Sequence, residues 1–302
     1  MSRPVPLRWL VTGAGGMLGQ ELTAALGAAG ERQVTAVDRA ALDVTDAAAV
    51  RAAVAGNDVV VNCAAYTNVD GAEGEPDRAE AVNGHAVGLL AEACGRGGAR
   101  LLQLSTDYVL PGTSPEPQPE HAPTGPANAY GRSKLLGERL LAERLPDAGY
   151  VVRTAWLYGE HGGNFVATML RLAAERPGVE VVDDQYGQPT WTAPLAGQLV
   201  ALGRAAAAGE APPGVYHGTA AGRTTWYGLA RAVFTHAGLD PERVRPTTTA
   251  AFPRPAARPA SSVLSHARWA EAGMAVQPDW EESLTEALRR PAFQELIAKA
   301  QG

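Results

Sequence analysis

In the stretch AYGRSKLLGE, Tyr130 and Lys134 stand four residues apart. On a helix that spacing puts both side chains on one face, so phenol and amine can project toward the same ligand. An ammonium beside a phenol favours the phenolate and draws the tyrosine pKa below its usual value of about 10, which makes the hydroxyl a usable proton donor near neutral pH. Alone, the spacing is common and ordinarily means a half-buried tyrosine with a solvated lysine. A hydroxyl at the end of a preceding strand would complete a proton-delivery device. Ser105 and Thr106, in LLQLSTDYV, stand at such a place, where a parallel strand meets a ligand crevice.

A second set of residues is suited to binding. Gly13, Gly16 and Gly19 form G-x-x-G-x-x-G between a strand-like and a helix-like segment, so backbone can approach a pyrophosphate whose charge sits at the helix N-terminus. With 34 glycines in the chain, a tight turn is the alternative. Placement favours the nucleotide: a doubly wound sheet binds it at the first strand-to-helix turn, and Asp38 ends the next strand about 20 residues further on, where a ribose-binding carboxylate belongs. Asp38 favours the free 2′-hydroxyl of NAD, whereas Arg39 beside it can accept a 2′-phosphate, so NADH and NADPH both stay open. Asp43 and Val44, in LDVTD, are read as ending a further extended segment that flanks the adenine, or equally as a capping aspartate and a core valine.

The elements that must position these groups are legible as alternating patterns. Apolar strands LRWLVTG, QVTAVD, DVVVNCAA, RLLQLSTDYV and YVVRTAWLYG alternate with helical GMLGQELTAALGAAG, DAAAVRAAVAG, PDRAEAVNGHAVGLLAEACGRGG and YGRSKLLGERLLAERL. That order predicts an α/β fold, a Rossmann-type doubly wound parallel sheet. After Gly159 the beat weakens. HGGNFVATMLRLAAERP, PLAGQLVALGRAAAAGE and TTWYGLARAVFTHAGL read as helices, VEVVDDQYGQPTW as a strand entering a loop, and FPRPAARPASSVL as an extended cationic loop. The expected division is a dinucleotide-binding domain over 1–158 plus roughly 192–215, and a smaller, irregular substrate-binding lobe over 159–191 and 216–302.

Composition narrows the partners. A formal charge of -6 gives no basic field to recommend nucleic acid or an anionic membrane. Cys63 and Cys94 lack metal-ligand spacing and read as small buried residues, so no metal is expected. MSRPVPLRWLVTGAGG has no apolar targeting core, and a cytoplasmic protein is expected. His217 reads as a structural hydrogen bonder, and Trp226 with Tyr227 as the apolar face of a helix.

Taken in order, the glycine loop, the Ser/Thr at a later strand end and Tyr-x-x-x-Lys opening the next helix resemble the extended short-chain dehydrogenase/reductase family. NCAAYTNVDGAEGEPDRAEAVN, STDYVLPG, AYGRSKLLGE, RTAWLYGEHGGNFVATMLRLA, VVDDQYGQPTW, GVYHGTAAGRTTWYGLA and RPASSVL narrow the resemblance to dTDP-4-dehydrorhamnose reductases and related nucleotide-sugar 4-ketoreductases. The resemblance implies that Thr106, Tyr130 and Lys134 are catalytic. It implies that Gly13, Gly16, Met17 and Leu18 lie under the pyrophosphate, and that Ala64, Ala65 and Tyr66 line the cofactor. Thr67, Val69, Asp107, Tyr108 and Trp156 would surround the sugar, with Asn164, Gln185 and Arg258 toward the nucleotide half. The arginines of FPRPAARPA are otherwise a solvated loop. Leu110 and Pro111 stand where relatives more often carry phenylalanine and aspartate, and the loop from Pro111 to Pro126 lacks the family's usual tyrosine. These departures leave the exact sugar open.

The implied reaction is hydride transfer from NADPH or NADH to the C4 ketone of a dTDP-4-keto-6-deoxyhexose, in rhamnose or antibiotic deoxysugar biosynthesis. The implied partner is that small molecule, and a homodimer is compatible. Tyr108 stands where related dehydratases carry an acid-base glutamate, and a phenol cannot take up a proton as a carboxylate does near neutral pH, which disfavours elimination. An epimerase, or an idle binding subunit like the regulatory subunit of methionine adenosyltransferase, are the other readings. The intact trio argues against the idle one.

Overall fold

The computed structural model describes residues 6–302; the first residues of the N-terminal targeting reading lie outside them. The chain runs β1 (Arg8–Thr12), α1 (Met17–Ala28), β2 (Gln33–Val37), α2 (Ala47–Val54), β3 (Val59–Asn62), α3 (Gly71–Gly74), α4 (Pro76–Glu80), α5 (Ala86–Gly97), β4 (Arg100–Thr106), α6 (Ala129–Arg144) and β5 (Gly149–Thr154). It continues through β6 (Leu157–Tyr158), α7 (Phe165–Glu175), β7 (Val179–Val182), β8 (Tyr186–Gly187), β9 (Thr190–Trp191), α8 (Thr192–Ala208), β10 (Gly214–His217) and β11 (Thr224–Thr225). The last elements are α9 (Trp226–His236), β12 (Val244–Thr247), α10 (Ala267–Glu271), α11 (Trp280–Leu288) and α12 (Pro291–Gln301).

Six strands form one parallel sheet in the order β2, β1, β3, β4, β5, β10. The expected Rossmann-type fold is thus present. Because the chain goes outward from β1 to β2 and then crosses back to β3, a crevice opens at the carboxyl ends of β1 and β3. Alternation along each strand feeds two cores. Trp9, Val11, Val59 and Val61 meet Leu22 of α1 and Leu195 and Leu199 of α8. Leu10, Val60 and Leu101 meet Val50 of α2, Leu90 of α5 and Leu141 of α6 on the opposite face. Burial on both faces is why these strands read as unbroken apolar runs.

A third core joins Tyr158, Val166, Leu170, Leu229, Phe234, Leu284 and Phe293, drawn mainly from α7, α9, α11 and α12. Around it lie short paired strands, β6 with β9, β7 with β12 and β8 with β11. Tyr216 and His217 lie in β10 of the main sheet, and Trp269 packs into the core under that sheet.

The elements depart from the sequence reading in three places, each with a local cause. YVVRTAWLYG is not one strand: β5 stops at Thr154, Trp156 adopts φ 48°, and β6 turns away to pair with β9. LDVTD is a turn, not an extended segment, because the Asp43 side chain accepts bonds from the Thr45 amide and hydroxyl; the cap of α2 is Asp46. The helix over PDRAEAVNGHAVGLL carries a π-type turn at Ala81–His85, and such turns recur beside functional sites.

Candidate active site

A cavity of about 1000 Å³ runs along the crevice. At one end the glycine loop is pressed against the exit of β3. Gly13 has φ +65°, and a side chain there would meet the Ala64 amide at 2.5 Å and the Cys63 carbonyl carbon at 2.7 Å. A side chain on Gly19 would strike the Gly13 carbonyl oxygen. Gly16 caps α1 with no side-chain bond, so the first amides of the helix remain available to an anion. Gly13, Gly16, Met17 and Leu18 all line the cavity.

Asp38, Arg39, Asp43 and Val44 line the next stretch of wall. Asp38 Oδ1 accepts the Ala40 and Ala41 amides at 2.9 and 3.0 Å, which fixes the turn after β2, while the Arg39 guanidinium is exposed. The bonds from Thr45 hold the Asp43 carboxyl below the ordinary aspartate range. This wall fits an adenosine with either a free or a phosphorylated ribose.

Ala64, Ala65, Tyr66 and Thr67 carry the lining on to Leu104, Ser105, Tyr130 and Lys134 at the far end. Asn128 caps α6 through the Gly131 amide at 2.7 Å, which starts the helix one residue before Tyr130 and brings Tyr130 and Lys134 to the crevice. Lys134 is 3% exposed and its Nζ donates to the Leu104 carbonyl at 2.6 Å. Burial pulls its pKa down to about 8, with the Glu138 charge opposing.

Tyr130 departs from the expected direction. Burial, and after it the charge of Asp107, push its pKa above the usual tyrosine value, while the Thr106 hydroxyl pulls the other way. The lysine does not make a phenolate here, since its amine is turned to a backbone carbonyl. The phenol therefore keeps its proton at neutral pH, the state a general acid needs.

Thr106 lies behind the cavity wall rather than in it. Its hydroxyl donates to Asp107 Oδ1 at 2.8 Å and accepts the Tyr108 amide at 3.2 Å. The Tyr108 ring meets Tyr130 edge-on, with centroids 6.0 Å apart. Asp107 is 3% exposed, and burial lifts its carboxyl to about 6, with the Ser262 and Thr106 hydroxyls pulling it back. Between the free value of 3.8 and about 6 the folded state holds more protons than the unfolded one, so stability falls as pH rises through that window. Asp107→Asn is accordingly expected to stabilise the protein by on the order of 2 kcal/mol at pH 7.5 and by little at pH 4, read from thermal melts at the two pH values.

A family model described as the RmlD substrate binding domain matches residues 7–292. A dTDP-4-dehydrorhamnose reductase of Streptomyces griseus is 58% identical, with 92% of each chain covered. The chain belongs to the dTDP-4-dehydrorhamnose reductase family. A dTDP-4-keto-6-deoxy-D-glucose reductase of Streptomyces niveus is 49% identical over 93% of this chain and 96% of its own. The crystal structure of the Bacillus anthracis dTDP-4-dehydrorhamnose reductase in complex with NADP aligns with a TM-score of 0.87 at 35% identity, covering 94% of this chain and 99% of that one.

The remaining residues carried over from the reductase family fall outside the cavity wall, Thr67 excepted. Val69 and Asp70 precede α3, and Asp70 holds Arg258 at 3.0 Å. Asn128 Nδ2 bonds the Ala257 carbonyl, so the cationic loop is strapped beside the start of α6. Trp156 stacks on Trp226 with centroids 3.6 Å apart, and its neighbour Leu157 reaches the cavity. Asn164 is engaged as the cap of α7, and Gln185 donates to Thr249 at 2.9 Å.

Three features of the site were not read from the sequence. Cys63, only partly exposed, borders the cavity. Arg78, over the Tyr66 ring at 5.6 Å, and the Gly162–Gly163 pair also line it. No spacing distinguishes one arginine within a helix from its solvated neighbours. His217 Nδ1 pairs with the Ser265 carbonyl at 2.9 Å, in line with a structural role. Among the described residues no cluster of three metal-ligating side chains occurs, and no helix is long and apolar enough to cross a membrane.

Proposed function

We propose that the protein reduces the C4 ketone of a dTDP-4-keto-6-deoxyhexose with NADPH or NADH. The observation that carries this is one continuous cavity with an open helix terminus at one end and Tyr130 and Lys134 at the other. Bound there, the reduced nicotinamide supplies the hydride. The residues of this chain bind, orient and protonate.

In this reading the amides of the glycine loop and α1 hold the pyrophosphate. Tyr130, neutral at physiological pH, gives its proton to the alkoxide oxygen formed at C4. Thr106 orients the carbonyl by turning its hydroxyl proton from Asp107 Oδ1 to the substrate oxygen, while it continues to accept the Tyr108 amide. Lys134 holds a ribose hydroxyl of the nicotinamide half and supplies positive charge near the phenol. Tyr108 cannot serve as a base for elimination, because burial pushes its phenol well above the ordinary range. Thr67, Val69 and Trp156 face the sugar, and Arg258 the diphosphate, on the strap that closes the lobe. The division into a dinucleotide-binding unit and a substrate lobe, a cytoplasmic location and a homodimer belong to the same proposal.

The exposed Arg39 is the group that reads the 2′-phosphate. Arg39→Ala is expected to raise KM for NADPH on the order of tenfold and to leave KM for NADH nearly unchanged. Initial rates with each cofactor measure this. The activity itself is tested by loss of absorbance at 340 nm in the presence of dTDP-4-keto-6-deoxysugars. Tight cofactor binding without turnover on any of them would favour the idle-subunit reading.

A further inference from the structure

Glu138 lies one turn beyond Lys134 on α6 and is 6% exposed. All of its bonds are internal. Arg153 of β5 gives Nε to Oε1 at 2.9 Å and Nη2 to Oε2 at 2.7 Å, and the Ser105 hydroxyl of β4 gives to Oε1 at 2.6 Å. Arg153 is 3% exposed, and it is the register partner of Ser105 across the two strands. A buried ion pair at best roughly offsets its own desolvation, so apolar packing would hold the helix as firmly. What a forked, charge-assisted contact adds is direction, because it tolerates little sliding.

The contact sits where sliding would matter. Lys134 docks on the Leu104 carbonyl, Glu138 on Ser105, and Thr106 follows immediately in the chain. One face of α6 is therefore pinned to two successive residues of β4. The Ser105 hydroxyl, a candidate on sequence grounds for the substrate carbonyl, gives its proton to Glu138 in this contact.

We propose that Ser105, Glu138 and Arg153 form a buried latch that fixes the axial register of α6 on β4, and that Glu138 is a positioning residue for Tyr130 and Lys134. The inference rests on the ketoreductase reading above. The surrounding groups leave Glu138 a second effect. Cys63, just past the end of β3 and beside Lys134, is kept a neutral thiol, pushed up to about 12 by burial. His217 of β10 is kept neutral, down to about 3, by burial and by the charge of Arg153. The third nitrogen of Arg153 reaches only the Glu120 carbonyl, at 3.3 Å. Glu138 is thus the charge that supports the Lys134 ammonium.

Two variants test the latch. Glu138→Gln keeps the side-chain length and removes the charge; Ser105→Ala removes one bond and leaves the ion pair. Expected kcat losses are on the order of tenfold to a hundredfold for Glu138→Gln and about threefold to tenfold for Ser105→Ala, with NADPH dissociation constants within about twofold. In Glu138→Gln the limb of the pH–kcat profile on which Lys134 loses its proton moves toward acid by about one unit, and in Ser105→Ala it does not move. Glu138→Asp restores that limb but not full kcat, being too short to meet both partners. Wild-type kcat with an unmoved limb in folded Glu138→Gln overturns the latch. If that variant does not fold, wild-type kcat in Ser105→Ala overturns it. Tyr130→Phe, run alongside, separates the two readings: retained turnover there sinks the ketoreductase assignment. Lost turnover there, with the latch variants unaffected, sinks the latch alone.

Discussion

Replacing Tyr130 by phenylalanine is expected to lower kcat by on the order of 10²–10⁴ and to leave both the fold and NADPH affinity close to wild type. The substitution removes one oxygen. The ring keeps its edge-on contact with Tyr108 and its place in the small cluster with Ala72, Ala79 and Ala129. What is lost is the proton that the proposed mechanism gives to the alkoxide. The phenol suits this task because burial holds its proton on at neutral pH. Single-turnover oxidation of NADPH in the presence of the ketosugar measures the chemical step directly. A variant that turns over near the wild-type rate would remove Tyr130 from the mechanism.

Gly13→Ala has the largest expected effect on binding and on the fold together. At φ +65° an L side chain costs about 1–2 kcal/mol through clash with its own backbone. The added methyl would also lie 2.5 Å from the Ala64 amide and 2.7 Å from the Cys63 carbonyl carbon, backbone atoms that cannot rotate away. Overpacking of that kind costs a further 1–3 kcal/mol or so. The loop can relieve the clash only by lifting off β3, toward the space a pyrophosphate needs. Destabilisation of about 2–5 kcal/mol and at least a tenfold loss of NADPH affinity are expected, read from urea unfolding with and without the cofactor. Wild-type values for both would show that the loop does not depend on this close approach.

How much of the molecule could be read beforehand follows from which interactions are local. Strands such as VVVN, buried on both faces, and a glycine run at a strand-to-helix turn carry their meaning in short windows. The residues assigned to the cofactor, Gly13 through Lys134, accordingly all reach one cavity. Contacts made between distant segments left no such trace. Nothing in the spacing pairs Asp70 with Arg258 or Glu138 with Arg153. The left-handed Trp156 is invisible in YVVRTAWLYG, because a tryptophan adopts that conformation only when its surroundings enforce it. Here the ring is held by Trp226 on one side and by the bare backbone of Gly187. The direction of the Tyr130 shift escapes the sequence for a similar reason: helical spacing shows that Lys134 is near, but not that its amine is turned to Leu104. Helices α11 and α12 complete the third core from a stretch without motifs.

The central claim is that the cavity delivers hydride from a nicotinamide to a sugar carbonyl at the place marked by Tyr130. Incubation with NADPH deuterated at the transferable nicotinamide position and a dTDP-4-keto-6-deoxyhexose, followed by NMR of the product, tests it most directly. The expected result is one deuteron at C4 of the sugar for each NADPH consumed. Unchanged NADPH, or a reduced sugar without the label at C4, would contradict it.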